Sequence, residues 1–123
     1  MSLKILIVED DSGISENLQA LLHAKGYQVF AASDGATGVD MARKEMPDLM
    51  LLDLLLPKMG GFDVCKMLKT DPATKQIKII MITELSQMAD VEKAFQIGAS
   101  EYIIKPFDSD RLFKKLDKVI AQP

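Results

Sequence analysis

The sequence predicts a five-stranded parallel α/β sandwich, a sheet held between two layers of helices. Three observations carry that prediction. Short apolar runs and amphipathic stretches alternate, strand then helix, five times along the 123 residues. The central runs KILIV, LMLL and KIIMI are apolar without alternation, so both of their faces are covered. No Pro/Gly/Ser-rich linker, internal repeat or low-complexity tract divides the chain, so residues 1–123 read as a single domain.

Each element has its own signal. Lys4 to Val8 is a β-branched apolar run and the first strand. Ile14 to Lys25 places Ile14, Leu18, Leu21 and Leu22 at helical spacing, and Gly26 ends it as a helix C-terminal glycine. Gln28 to Ala32 reads as the second strand, and Gly35 to Lys44 as a helix turning Val39, Met41 and Ala42 inward. Leu49 to Leu52 is a wholly apolar strand closed by Asp53. Phe62 to Lys69 is a short helix with Phe62, Cys65 and either Leu68 or the Lys69 stem facing in. Lys78 to Ile82 is the fourth strand, Ala89 to Ile97 a helix stopped by Gly98, and Glu101 to Ile104 the fifth strand. Asp108 or Ser109 caps a last helix that runs to about Ile120.

Composition removes several function classes. A single cysteine, Cys65, excludes a disulfide scaffold, and one Cys with one His, His23, leaves nothing for a structural zinc site. No apolar run approaches the roughly 18 residues of a membrane span, and the N-terminal residues lack the apolar core of a signal peptide, so a cytoplasmic chain without membrane contact is expected. A net charge of −3 argues against direct nucleic-acid binding, which needs a basic face. His23, off the Leu stripe, reads as a surface residue, Cys65 as a small buried hydrophobe and the eight Met as core filling. The charges from Asp108 to Lys118 read as the outer face of the last helix.

In open parallel sheets, ligands bind beyond the carboxyl ends of the strands. Here those ends carry chemistry: Glu9-Asp10-Asp11 after the first strand, Asp53 after the third, Thr83-Glu84 after the fourth and Lys105-Pro106 after the fifth. Any one of these is unremarkable as a cap or a surface charge. Together they occupy equivalent places in the fold. Two carboxylates roughly 5 Å apart repel by about 3 kcal/mol at an effective dielectric near 20, so the cluster needs compensation. Lys105 supplies one positive charge, and a hard divalent cation suits the carboxylate and carbonyl oxygens. A cation so held accepts a phosphoryl oxygen, and a neighbouring acid can act as nucleophile.

LIVEDD (6–11), LLDLLLPKMGG (51–61), MITE (81–84) and YIIKPF (102–107) closely resemble the receiver domain of two-component response regulators, in order and across essentially the whole chain. The resemblance implies a flavodoxin-like sheet in the order 2-1-3-4-5. It implies that Asp53 accepts a phosphoryl group from the phosphohistidine of a sensor kinase or phosphotransfer protein. Asp10 and Asp53 would bind Mg²⁺ directly with the backbone carbonyl of Leu55, and Glu9 through water. Thr83 and Lys105 would contact the phosphoryl oxygens. Tyr102 would be the switch aromatic, moving inward as Thr83 is drawn to the phosphate, and the Lys105-Pro106 bond would be cis. The surface of the fourth helix, fifth strand and fifth helix would then signal to an effector, and the same face could serve for dimerisation. Such a chain is a regulatory phospho-acceptor that assists its own phosphotransfer and dephosphorylation, not an enzyme acting on others.

Position supports Asp53 as the nucleophile independently. Asp11 is engaged as a helix cap and Glu9-Asp10 form a pair on one strand end, whereas Asp53 stands alone across the cation site. The sequence departs from the family at Glu84, where a small residue is usual, and at Gly60-Gly61, where Asp-Gly is common. Leu55 and Leu85, two positions after Asp53 and Thr83, are apolar and should hinder hydrolytic water, so a long-lived phosphorylated state is expected. Other readings fare worse. A haloacid-dehalogenase-like phosphatase needs a second Asp where Leu55 stands, and a flavodoxin-like cofactor carrier needs a hydroxyl-rich loop where Glu9-Asp10-Asp11 stands. A degenerate receiver that serves only for docking would not retain every carrier residue.

Overall fold

A computed structural model describes residues 2–122. Strands β1 (Lys4–Val8), β2 (Gln28–Ala32), β3 (Leu49–Leu52), β4 (Lys78–Thr83) and β5 (Glu101–Ile104) alternate with helices α1 (Ser12–Ala24), α2 (Gly35–Glu45), α3 (Gly61–Thr70), α4 (Met88–Gln96) and α5 (Ser109–Ile120). All neighbouring strands are parallel, in the order β2-β1-β3-β4-β5, as the sequence predicts.

The unbroken apolar runs are explained by two cores. Leu6, Val8, Met50, Leu52, Ile79 and Met81 face Val39 and Ala42 of α2, Val64, Cys65 and Leu68 of α3, and Ala94 of α4. The alternate residues Ile5, Ile7, Leu49, Leu51, Ile80, Ile82 and Ile103 face Leu18 and Leu22 of α1 and Leu112, Leu116 and Val119 of α5. Each such side chain contributes about 1.5–3 kcal/mol of burial, so a polar residue at any of these positions opposes the fold. Cys65 is wholly buried and burial pushes its thiol up to about 11.

Polar side chains fix the helix ends. Asp11, Asp34 and Asp108 accept the backbone N–H of Ile14 (3.0 Å), Thr37 (2.7 Å) and Arg111 (2.8 Å). The Asp11 cap starts α1 at Ser12, two residues before the apolar stripe that the sequence shows. At the opposite edge, the first residues of two strands serve helix C-termini. Lys4 Nζ donates to the Glu45 carbonyl of α2 at 3.2 Å, and Lys78 Nζ donates to the Val119 carbonyl of α5 at 3.0 Å.

Three readings of single residues need correction. Met50 and Met81 fill the core, but Met46, Met67 and Met88 are exposed, Met88 to 69%. The charges of α5 do not all face outward: Lys115 is partly buried, and it and the exposed Lys118 each lie 3.3 Å from the buried carboxylate of Glu101, tying the helix to β5. Thr83 belongs to β4 and is fully buried. His23 is exposed, as expected.

Candidate functional site

β1 and β3 are adjacent, with Val8 beside Leu52, so the residues that follow them emerge side by side. The backbone enforces this: Asp53 N–H donates to the Val8 carbonyl at 3.0 Å, and Glu9 N–H to the Ala32 carbonyl at 3.1 Å. Glu9, Asp10 and Asp53 each offer a carboxylate oxygen, and these oxygens lie within 4.8 Å of one another. Glu9 and Asp53 are buried, at 4% and 6% exposure, while Asp10 is open to solvent.

Lys105 answers the charge. β5 ends two strands away, and the Lys105 side chain reaches back so that Nζ donates to Asp53 Oδ2 at 2.9 Å and to Glu9 Oε1. The Lys105–Pro106 bond that follows is cis, as expected. Burial works to lower the Lys105 ammonium, but its bonds to Glu9 and Asp53 outweigh that and hold it above the ordinary lysine range. Burial raises Glu9 above the usual carboxylate range, a push that Lys105 and the Asp11 N–H offset only in part. The other oxygen of Asp53, Oδ1, accepts the Leu55 N–H at 3.0 Å. This bond folds the chain after β3 back over the acids.

The result is an open cleft of about 340 Å³ lined by Glu9, Asp10, Asp11, Asp53, Leu55, Glu84 and Lys105. Glu84 is exposed at its rim, and the Leu55 side chain is 52% exposed. The donor set consists of hard oxygens, a set that fits Mg²⁺ and suits soft metals poorly.

A second chain of contacts runs behind the cleft. Thr83 Oγ1 accepts the Leu85 N–H at 3.3 Å, and the Leu85 carbonyl accepts the Tyr102 hydroxyl at 2.7 Å. Burial, with the charges of Asp90 and Asp53, pushes the Tyr102 phenol up to about 12. The ring is already inside, at 5% exposure, so the inward swing expected from the resemblance has no outward starting point in this structure. Two further contributors carry no local signal in the sequence. Asp34 and Gly35, after β2, contact the loop that follows Asp53, and no polar motif in the sequence points to Gly35.

Carboxylates are thus gathered beyond the carboxyl ends of a parallel α/β sheet, with a buried lysine among them, at the place where such sheets bind ligands. The lineage of the chain is definite. Residues 5–117 match the response regulator receiver domain, and the chain belongs to that family. It is 41% identical over 119 residues to the DNA-binding dual master transcriptional regulator RpaA of Synechocystis, covering 97% of this chain and 49% of RpaA. It is 40% identical over 116 residues to the response regulator PleD of Caulobacter vibrioides, covering 94% of this chain and 26% of PleD. The chain thus spans half or less of the length of these two relatives. The receiver domain of the sensor histidine kinase PA1611 from Pseudomonas aeruginosa superposes with a TM-score of 0.90 at 28% identity, covering 99% of this chain and all of that one. That domain was crystallised with a magnesium ion coordinated in its active-site cleft. The present chain is therefore a regulatory signalling domain of the two-component type. Among the described residues no helix is long and apolar enough to cross a membrane.

Proposed function

We propose that the chain acts as one receiver unit over residues 1–123, a phospho-accepting switch in which Asp53 takes a phosphoryl group from the phosphohistidine of a sensor kinase or phosphotransfer protein. The single observation that carries this reading is the convergence of Glu9, Asp10 and Asp53 with Lys105 in one open cleft. An Asp53 carboxylate oxygen forms the new P–O bond as the P–N bond to the donor imidazole breaks, and the imidazole keeps that electron pair. Asp10, Asp53 and the Leu55 carbonyl would hold Mg²⁺, with Glu9 reaching it through water. Bound there, Mg²⁺ supplies charge screening for one anion attacking another.

The protein's own groups do the rest. Lys105 exchanges its carboxylate partners for a phosphoryl oxygen, which keeps its buried charge paired. Thr83 turns its hydroxyl toward the phosphoryl group and gives up the Leu85 N–H. Because Leu85 also accepts the Tyr102 hydroxyl, that movement reaches β5 and the α4-β5-α5 surface, which signals to an effector domain or protein and can serve as a dimer contact. Phosphorylation shifts this two-state balance by the difference in affinity of the two states for the phosphate. The acidic rim disfavours nucleic acid as a direct ligand, and the free, buried Cys65 suits a reducing cytoplasm.

Incubation with acetyl phosphate and Mg²⁺, read by intact-protein mass, tests the proposal. The wild type gains one phosphoryl group and Asp53→Asn gains none. Equal labelling of the two proteins refutes the assignment. Absence of Mg²⁺-dependent labelling in the wild type favours a docking module instead.

A further inference from the structure

Gly35 opens α2, on the far side of β1 from Lys105, and belongs to no motif of the site. Its backbone is not in the left-handed region, which among the described glycines holds only Gly26 and Gly98, so conformational freedom does not explain it. Space does. A Cβ on Gly35 would lie 1.9 Å from the Met59 carbonyl oxygen and 2.8 Å from the Met59 carbonyl carbon. Both are backbone atoms, and a side chain there could enter only if the loop after Asp53 moved.

Leu54, Leu56 and Met59 pack that loop against the core, but its polar anchors are few. Leu55, Pro57 and Lys58 are exposed, and Lys58 sits at φ 67. Among the described residues, the polar contacts of Pro57, Lys58 and Met59 outside their own loop go to Asp34 and Gly35. Gly35 N–H donates to the Pro57 carbonyl at 3.3 Å, and Lys58 Nζ lies 3.7 Å from Asp34 Oδ2. The ion pair is exposed on its Lys58 side and contributes little. The same helical turn also presses on the other acid-bearing strand. A Cβ on Gly38 would meet the Val8 methyls at 2.9 and 3.0 Å, and Val8 precedes Glu9 and Asp10. The first turn of α2 is thus wedged between the end of β1 and the loop that carries Leu55.

We infer that Gly35 is a positioning residue for phosphoryl acceptance: the bare first turn of α2 sets where the Asp53–Leu55 segment lies relative to the Glu9–Asp10 strand end. The inference rests on the proposed function, and it assigns part of that function to a turn outside the acid cluster. A residue that acts by placing ligands is expected to change metal affinity as well as stability, and such outer partners change it by about tenfold or more.

The test compares the wild type and Gly35→Ala. Mg²⁺ alone is titrated and followed by backbone amide NMR, labelling by acetyl phosphate is timed, and melting is recorded in EDTA. Gly35→Ala should bind Mg²⁺ about tenfold more weakly and label more slowly at saturating Mg²⁺. Lowered melting with unchanged Mg²⁺ affinity and labelling overturns the inference, since that is what a merely structural glycine would do. If Gly35→Ala does not fold, Gly38→Ala pushes the same turn against side-chain methyls. Its Mg²⁺ affinity should fall and should recover in the double variant Gly38→Ala/Val8→Ala. Wild-type affinity in Gly38→Ala overturns the inference. A wild type that neither binds Mg²⁺ nor labels refutes the phospho-acceptor reading itself, and the inference with it.

Discussion

Lys105→Met removes the one cation between two buried carboxylates, and the structure sets the scale of the effect. Carboxylate oxygens of Glu9 and Asp53 lie within 4.8 Å, where two unit charges repel by about 3.5 kcal/mol at an effective dielectric near 20. Removing one partner of a buried ion pair costs a similar amount, about 3–5 kcal/mol. At neutral pH and without metal the variant should lose about 3 kcal/mol, or about 12 °C in melting at roughly 4 °C per kcal/mol for a domain of this size. The loss depends on pH in a defined direction. Burial already holds Glu9 above the carboxylate range, and loss of Lys105 raises it further. A carboxyl whose pKa is raised in the folded state stabilises fully below the unfolded value near 4.5, and the contribution fades as pH climbs through the folded one. The variant should therefore melt highest in mild acid and lose stability as pH rises above that unfolded value, more steeply than the wild type. Mg²⁺ should raise its melting temperature more than that of the wild type. Circular dichroism melts in EDTA and in Mg²⁺ across this range provide the assay. A melting temperature equal to that of the wild type, or a loss independent of pH, would refute the electrostatic reasoning.

Other predictions follow from single contacts. Leu55→Asn replaces a half-exposed apolar side chain at the cleft with one that can hold a water, so loss of phosphate from the labelled protein should speed up; an unchanged decay rate would remove Leu55 from the account. Gly61→Ala would bring a Cβ within 2.3 Å of the Asp53 carbonyl oxygen and 2.6 Å of Leu54 Cα, so urea unfolding should show a loss of about 2–4 kcal/mol or no folded protein, and a wild-type midpoint would contradict the packing. Cys65, buried and with its thiol pushed up to about 11, should resist thiol reagents at neutral pH until urea opens the α3 side of the core; rapid labelling of the native protein would contradict it.

The fold was legible because its signals are local and repeated. KILIV, LMLL and KIIMI declare two-sided burial by lacking alternation, and the structure sends their odd and even residues to separate cores. The acid cluster was legible because strand ends of a parallel sheet share one edge, which makes Glu9, Asp10, Asp53 and Lys105 neighbours before any coordinates exist. What escaped notice depends on distance between elements. Nothing local in Lys115 or Lys118 shows that they pair with a buried carboxylate, since their partner Glu101 lies on a strand before the helix. Thr83 looks like a residue after the strand and proves to be its buried last member. Gly35 precedes an ordinary helical stretch, and only the approach of Met59 from another loop explains its missing side chain.

The most direct measurement locates the phosphoryl group. Protein labelled by acetyl phosphate is reduced with borohydride, which converts an aspartyl phosphate to homoserine, and is then digested and sequenced by mass spectrometry. Homoserine at position 53, formed with Mg²⁺ and absent with EDTA, is the predicted result. Modification at any other carboxylate, or at Asp53 regardless of metal, would contradict it.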